Sequence, residues 1–306
     1  MKTLMKKKYI AVIATTLIVL FSTGFCQAQE QETKDITIGV LAHEGKLEAR
    51  KQWRSTAAYL TSALNRNFTV LPLGFKEVFS AVQDEKVDFF IVNPFVFVTA
   101  MVKYDAVPVA TMKATGNDRF GGVIFTAASN INIHELTDLK GKKFGGVART
   151  SLGGWQMAQK EFLDSGIEIF DYVSTLRFFD THNQVVKSVL SGQVDAGTVR
   201  TGILEAMAEA GEIDLGKIRV LAKKEYFGFP YLVSTPLYPE WALARLASTD
   251  KDLADAVAFA LKNMTETDQA AVDAGCTGWS EPLDYSGVRR LQKELKVGAY
   301  KEEKRI

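Results

Sequence analysis

Short apolar runs alternate with stretches whose apolar positions recur at helical spacing, and this alternation is what most constrains the fold. Ile36–Leu41, Phe68–Leu73, Val87–Val92, Val107–Thr111, Gly121–Thr126, Lys142–Val147, Ser174–Phe179, Val194–Val199, Ile218–Leu221 and Tyr231–Ser234 read as strands. Amphipathic stretches between most of them, such as the one carrying Trp53, Ala57, Leu60 and Leu64, read as helices. Strand and helix in regular alternation imply an α/β architecture with a largely parallel sheet. From Glu240 onward the pattern turns helical, over Glu240–Leu246, Asp250–Met264 and Tyr285–Leu295.

The first residues stand apart from this pattern. Lys2, Lys6, Lys7 and Lys8 precede an apolar run, Tyr9–Phe21, that is short for a membrane span. Cys26-Gln27-Ala28 then offers small residues for cleavage after Ala28, so an exported chain starting at Gln29 is expected. The alternative is a lipid anchor at Cys26, which the bulky Phe25 disfavours. Removing four of 37 basic residues leaves 33 against 36 acids, a formal charge of −3. A slightly acidic chain without a basic stripe excludes nucleic acid as the expected partner. No later run is long enough to cross a bilayer. Cys276 is then the lone thiol, so no internal disulfide is expected and the fold must rest on core burial.

Catalytic patterns are sparse. HExxH, GxSxG, phosphate-loop and paired CxxC motifs are absent from the sequence, and no cofactor or metal set is expected. A Cys276–histidine pair stays open, because such partners need not be close in sequence. The polar residues instead gather at strand-to-helix junctions. His43, Asn93, Thr150, Ser151, His182, Arg200 and Thr201 all fall just after, or at the end of, an expected strand. Helix N-termini there present unpaired amides, hydroxyls and amides can donate, Arg200 is expected to neutralise charge, and the set suits an oxyanion. Arg149-Thr150-Ser151-Leu152-Gly153-Gly154 is the fullest of these junctions, with glycines that let backbone approach a ligand. The other reading of each residue is an ordinary cap or solvated loop. Two halves carry similar segments, Val87-Asp88-Phe89-Phe90 before Asn93-Pro94 and Val194-Asp195-Ala196-Gly197 before Arg200-Thr201. Ligands bind at the carboxyl ends of parallel strands, so two such halves facing one another would share a cleft. The aromatic stretch Phe227-Gly228-Phe229-Pro230 falls where a hinge is expected.

Asp138-Leu139-Lys140-Gly141-Lys142-Lys143, followed by Thr150-Ser151-x-Gly153-Gly154, resembles the second lobe of phosphate/phosphite/phosphonate-type periplasmic binding proteins. The resemblance extends through Val87–Pro94 and Gly192–Gly197 and covers nearly the whole mature chain. It implies a two-lobed type II periplasmic binding protein fold, each lobe a mostly parallel sheet flanked by helices, joined by two hinge crossovers. The expected division is a signal peptide over 1–28, a first lobe over 29–118, a second over 119–228, and a return to the first with C-terminal helices over 229–306. Function then follows as expectation: capture of a small oxyanion and delivery to an ABC-transporter permease, without catalysis. Tyr238-Pro239-Glu240-Trp241 and Gly275-Cys276-Thr277-Gly278-Trp279 also resemble the sensing domain of tetrathionate-sensor histidine kinases. Those continue into a membrane span and kinase, so a free-standing relative that signals to a kinase is the alternative. Arg149 and Leu152 depart from the usual phosphonate pattern and bring in a sulfur oxyanion as a further candidate. Cys276 could then exchange with a ligand S–S bond, or sit buried. A thiol enzyme acting on sulfur compounds is a third class.

Overall fold

The structure, a computed structural model, describes residues 35–301. The expected signal peptide and the Cys26 anchor lie outside the described residues. The strands are β1 (Ile36–Leu41), β2 (Phe68–Leu73), β3 (Phe89–Val92), β4 (Val107–Met112), β5 (Arg119–Phe120), β6 (Gly122–Ala127) and β7 (Lys143–Gly146). They continue as β8 (Thr175–Phe178), β9 (Ala196–Arg200), β10 (Ile218–Leu221), β11 (Tyr238–Pro239), β12 (Ala242–Arg245) and β13 (Trp279–Ser280). Six of them form one sheet in the order β13-β4-β12-β3-β1-β2, and five form another in the order β10-β6-β9-β7-β8. The short strands β5 and β11 pair antiparallel with each other where the chain leaves the first sheet and where it comes back. The molecule is thus a two-lobed α/β fold with helices flanking both sheets.

Each sheet is buried on both faces, which is why its strands read as unbroken apolar runs. In β3, Phe89 and Ile91 belong to one core layer with Trp53 and Leu60, while Phe90 and Val92 belong to the other with Val96 and Phe97. In β6, Ile124 faces Phe144 and Trp155, and Val123 and Phe125 face Val185 and Leu204. Successive side chains point to opposite faces, so a single strand supplies two cores.

The sheets are mixed rather than mostly parallel. β1 pairs parallel with β2 and β3, but β12 runs antiparallel to both β3 and β4, and β13 antiparallel to β4. In the second sheet β7 is parallel to β8 and β9, while β6 is antiparallel to β9 and β10. The reversed strands follow crossovers between the sheets and enter from the opposite end.

Three expectations about the return toward the first sheet fail. Glu240–Leu246 is expected as helix from its alanine, leucine and arginine content, yet Ala242–Arg245 is the strand β12. The slot between β3 and β4 leaves two rows of backbone groups to be paired, and this segment pairs both. Pairing and burial on both faces override a modest helix propensity. Tyr231–Ser234 makes a lone bridge, Lys224 to Val233, in place of a strand. The crossover itself is the β5/β11 pair, whereas Phe227 stands fully exposed upstream of it, away from the hinge role expected for 227–230.

Candidate anion site between two strand edges

Parallel strands put their carboxyl ends on one edge, and the candidate residues collect there. His43 follows β1 and Asn93 follows β3, two adjacent strands of the first sheet. Thr150 and Ser151 follow β7, His182 follows β8, and Arg200 and Thr201 end β9, three adjacent strands of the second. Packing brings the two edges together. Leu152 and Met157 of the second lobe share a core layer with Leu41, Val92 and Val96 of the first. The His43 ring meets Trp241 edge-on at 5.1 Å, and the Arg200 guanidinium pairs with Glu240, next in the chain to Trp241.

Three of the candidates have the same chemical form. Asn93 caps the helix Pro94–Tyr104, its Oδ1 accepting from Val96 N–H at 2.9 Å. That leaves the Nδ2 amide, with two N–H donors, uncommitted among the described residues. Ser151 Oγ accepts from Gly154 N–H at 3.1 Å, so the hydroxyl hydrogen is left to donate. His182 Nδ1 accepts from Arg200 N–H at 3.3 Å, which places the ring proton on Nε2. Each side chain spends its acceptor on backbone and keeps a donor.

The histidine stays neutral. Burial, and then the neighbouring Arg200 charge, push its imidazole down from 6.5 to about 4. An unfolded chain takes up a proton below pH 6.5, whereas the folded one resists until about 4. Stability is therefore full above 6.5, falls as pH drops through that window, and levels off below it. Urea titrations of the wild type and His182→Gln across this range should show the slope in the first and its loss in the second.

The loop after β7 is built for close approach. Ser151 begins a turn of wide, π-type helix, Leu152–Gln156, in which Gln156 N–H donates to Ser151 O at 3.0 Å. The helix Met157–Asp164 continues from it. Val147 N–H donates to Gly154 O at 3.0 Å, folding the loop back on its strand. A Cβ on Gly154 would lie 2.5 Å from Val147 Cγ2 and 2.8 Å from Ser151 Oγ. Gly154→Ala should therefore cost about 1–3 kcal/mol in overpacking and displace the Ser151 hydroxyl. Chemical denaturation alongside anion titration will show whether both fall together. Thr150 is exposed and Arg149 lies beside it, its guanidinium 5.2 Å from the ring centres of both Phe170 and Phe178. Cation–π contact on two faces holds that charge at the mouth of the loop.

The remaining candidates do other things. Arg200 is expected to neutralise ligand charge, but its guanidinium lies 4.3 Å over the Phe120 ring and pairs with Glu240. Its charge is already met by that carboxylate. Thr201 is buried and its Oγ1 accepts from Gly121 N–H at 3.1 Å, tying β9 to the crossover. Cys276 is buried in the core of the first sheet, in one layer with Trp53 and Trp279, and burial pushes its thiol up. Of the two roles open to it, exchange with a ligand S–S bond or burial, the structure shows burial, and a protonated thiol inside a core does not attack an S–S bond. Glu240 is the residue that sequence reasoning left out of its site, whereas Arg149 was read as part of the Arg149–Gly154 junction but not among the ligand residues. An acid in the otherwise apolar run Tyr238–Ala244, with an arginine ending another strand, was the signal for Glu240.

Two lobes meeting at strand carboxyl edges define a periplasmic binding protein of the two-lobed type. A family model described as the periplasmic substrate-binding protein of phosphonate ABC transporters matches residues 38–287, and the chain belongs to that family. This is a family of binding proteins, not enzymes. The chain is 29% identical over 266 residues to the tetrathionate sensor histidine kinase TtrS of Salmonella typhimurium, spanning 85% of this chain and 43% of that protein. Among solved structures, PhnD1 of Prochlorococcus marinus in complex with methylphosphonate superposes with a TM-score of 0.64 at 13% identity, covering 86% of this chain and 99% of that one. A binding component of a Pseudomonas aeruginosa phosphonate ABC transporter gives 0.59 at 14% identity, covering 84% and 85%. Among the described residues no helix is long and apolar enough to cross a membrane.

Proposed function

We propose that this protein is exported through its Met1–Ala28 leader, captures a small oxyanion between its lobes (29–118 with 229–306, and 119–228), and delivers it to an ABC-transporter permease. The observation that carries the reading is the matched state of Asn93, Ser151 and His182, each holding a donor free while backbone fixes its acceptor. An oxyanion leaving water needs several donors at once to replace its hydration. Neutral donors supply these without a buried counter-charge, and Arg149 at the loop mouth adds long-range attraction.

A second reading has its own support. The relative with a sensor kinase attached, and the Tyr238–Trp241 segment that supplies Glu240, favour a sulfur oxyanion and a kinase partner. One screen separates them. Ligands that bind only the folded state raise its melting midpoint by mass action. Phosphate, phosphite and methylphosphonate on one side, sulfate, thiosulfate and tetrathionate on the other, should give a rise confined to one group. A rise with phosphorus oxyanions supports uptake, one with sulfur oxyanions supports sensing, and none with either overturns the oxyanion reading.

A further inference from the structure

The outer side of the first lobe carries a groove that the anion reading does not use. The helix Lys46–Leu64 follows β1 and leads back to the start of β2, the last strand of its sheet. Arg50, Arg54, Ala57, Ala58, Thr61 and Ser62 fall on one stripe of this helix. Together with Phe68, Thr69 and Val70 of β2 they line a groove of about 640 Å³. It lies along the amino-terminal half of β2, the end of the strand away from the cleft.

Its lining holds two cations and no acid. Neither arginine has an ion pair or a hydrogen bond among the described residues. Asp273 is near enough to feel the charge of Arg54, but its carboxylate accepts from Ser55 and Gln269. Glu48, an acid of the same helix, pairs with Lys51. Backbone adds a donor. Ile36 N–H donates to Asn67 O and Ala42 N–H to Leu73 O, so alternate residues of β2 face β1 while Phe68, Val70 and Pro72 turn their backbone groups outward. Phe68 N–H donates to Thr61 Oγ1 at 3.0 Å, and Pro72 has no N–H. Val70 keeps an outward N–H without a partner among the described residues. One open donor beside an edge proline gives a further strand almost nothing to pair with, so the groove suits a small molecule better than a chain.

We propose that this groove binds an organic phosphate monoester, its phosphate held by Arg50, Arg54 and the Val70 N–H and its apolar part lying against Ala57, Ala58 and Phe68. The spacing allows the donors to converge. Thr61 is bonded to Phe68; Arg54 lies about 10 Å back along the helix from Thr61, and Val70 about 7 Å on from Phe68. An arginine side chain spans what remains. The charge selects the group: a phosphate monoester carries nearly two negative charges and three acceptor oxygens, matching two guanidiniums and an amide. The alanines and Phe68 give an ester an apolar wall that a bare ion would not use, in a groove of the size that ligands fill. Such an ester reaches the groove free in solution or as a lipid headgroup.

The site is independent of the interlobe cleft, and the test keeps them apart. Melting midpoints are followed against phenyl phosphate and, at equal concentration, phenol. The wild type and Ser151→Asp, a change aimed at disabling the cleft, should both show a saturable rise with the ester alone. Arg50 and Arg54 are exposed helix positions where glutamine is well tolerated, so Arg50→Gln and Arg54→Gln should fold as the wild type does, which circular dichroism checks. Each should weaken binding of phenyl phosphate about tenfold by removing a charge-assisted contact. No rise, an equal rise with phenol, a rise lost in Ser151→Asp, or undiminished binding in both arginine variants would each overturn the proposal. Vesicles containing phosphatidic acid separate the two sources. Sedimentation with them that needs both arginines supports the headgroup, and its absence beside a response to phenyl phosphate supports the free ester. The oxyanion screen of the wild type reports separately on the cleft.

Discussion

Replacing Thr150 and Ser151 together by alanine should weaken oxyanion binding about 10- to 100-fold, the equivalent of one charge-assisted hydrogen bond and part of a second. The structure separates what the two residues contribute. Thr150 is exposed and its side chain makes no hydrogen bond among the described residues, so its loss should cost the fold nothing measurable. Ser151 holds Gly154 N–H, so its loss should cost about 1 kcal/mol of capping energy as well. Ser151→Asp divides binding from stability in the other direction. A carboxylate caps Gly154 as well as a hydroxyl does, but it cannot donate and it repels an anion. Its melting midpoint should match the wild type while binding disappears. Titration calorimetry with whichever oxyanion the screen identifies measures both variants, and unchanged affinity in the double alanine protein would remove this loop from the site.

The largest effect on stability is expected at Arg200. Its partner Glu240 is 1% exposed, and burial pushes that carboxyl up despite the pull of the arginine. Arg200→Met keeps the length of the side chain and its contact with Phe120 but leaves the acid with no counter-charge. Breaking such a pair from one side costs about 3–5 kcal/mol. Adding Glu240→Gln removes the stranded charge, so the double variant should regain most of the loss. Acid should also help the single variant. A carboxyl whose folded value lies above its unfolded one is favoured in its protonated form, so the penalty shrinks as pH falls toward 4.5 and grows above it. Urea denaturation at two pH values gives all of these numbers. A loss under about 1 kcal/mol in Arg200→Met, the size of an exposed ion pair, would show that the pair is not buried in effect.

The parts that were legible in the sequence are those where one local rule governs. β1, β2 and β10 were delimited to the residue, because each is an apolar run bounded by polar residues. Asn93-Pro94 announced a capped helix, since proline at the first helical position has no N–H to leave unpaired and the asparagine before it accepts from the Val96 N–H. What was not legible depends on partners far along the chain. Ala242–Arg245 has a helix-forming composition and becomes a strand because two distant strands leave a gap between them. Arg200 looked like a charge for the ligand because nothing near it in sequence reveals Glu240, forty residues on. Ser151, Asn93 and His182 were found as junction residues, yet their shared use of acceptor and donor appears only when hydrogen bonds are drawn. Cys276 could not be placed at all without the core around it.

The position of β12 has a consequence for how the chain comes to life after synthesis. The second sheet is built from residues 122–221 without interruption, so it can assemble as soon as that stretch is available. The first sheet cannot close until residues 242–245 slip between β3 and β4, which were made more than a hundred residues earlier. Until then the inner edges of those two strands lie open, apolar and unpaired, and invite association with other chains. The later lobe in the sequence can therefore be completed from its own contiguous residues, whereas the earlier one needs the last strand but one as its keystone.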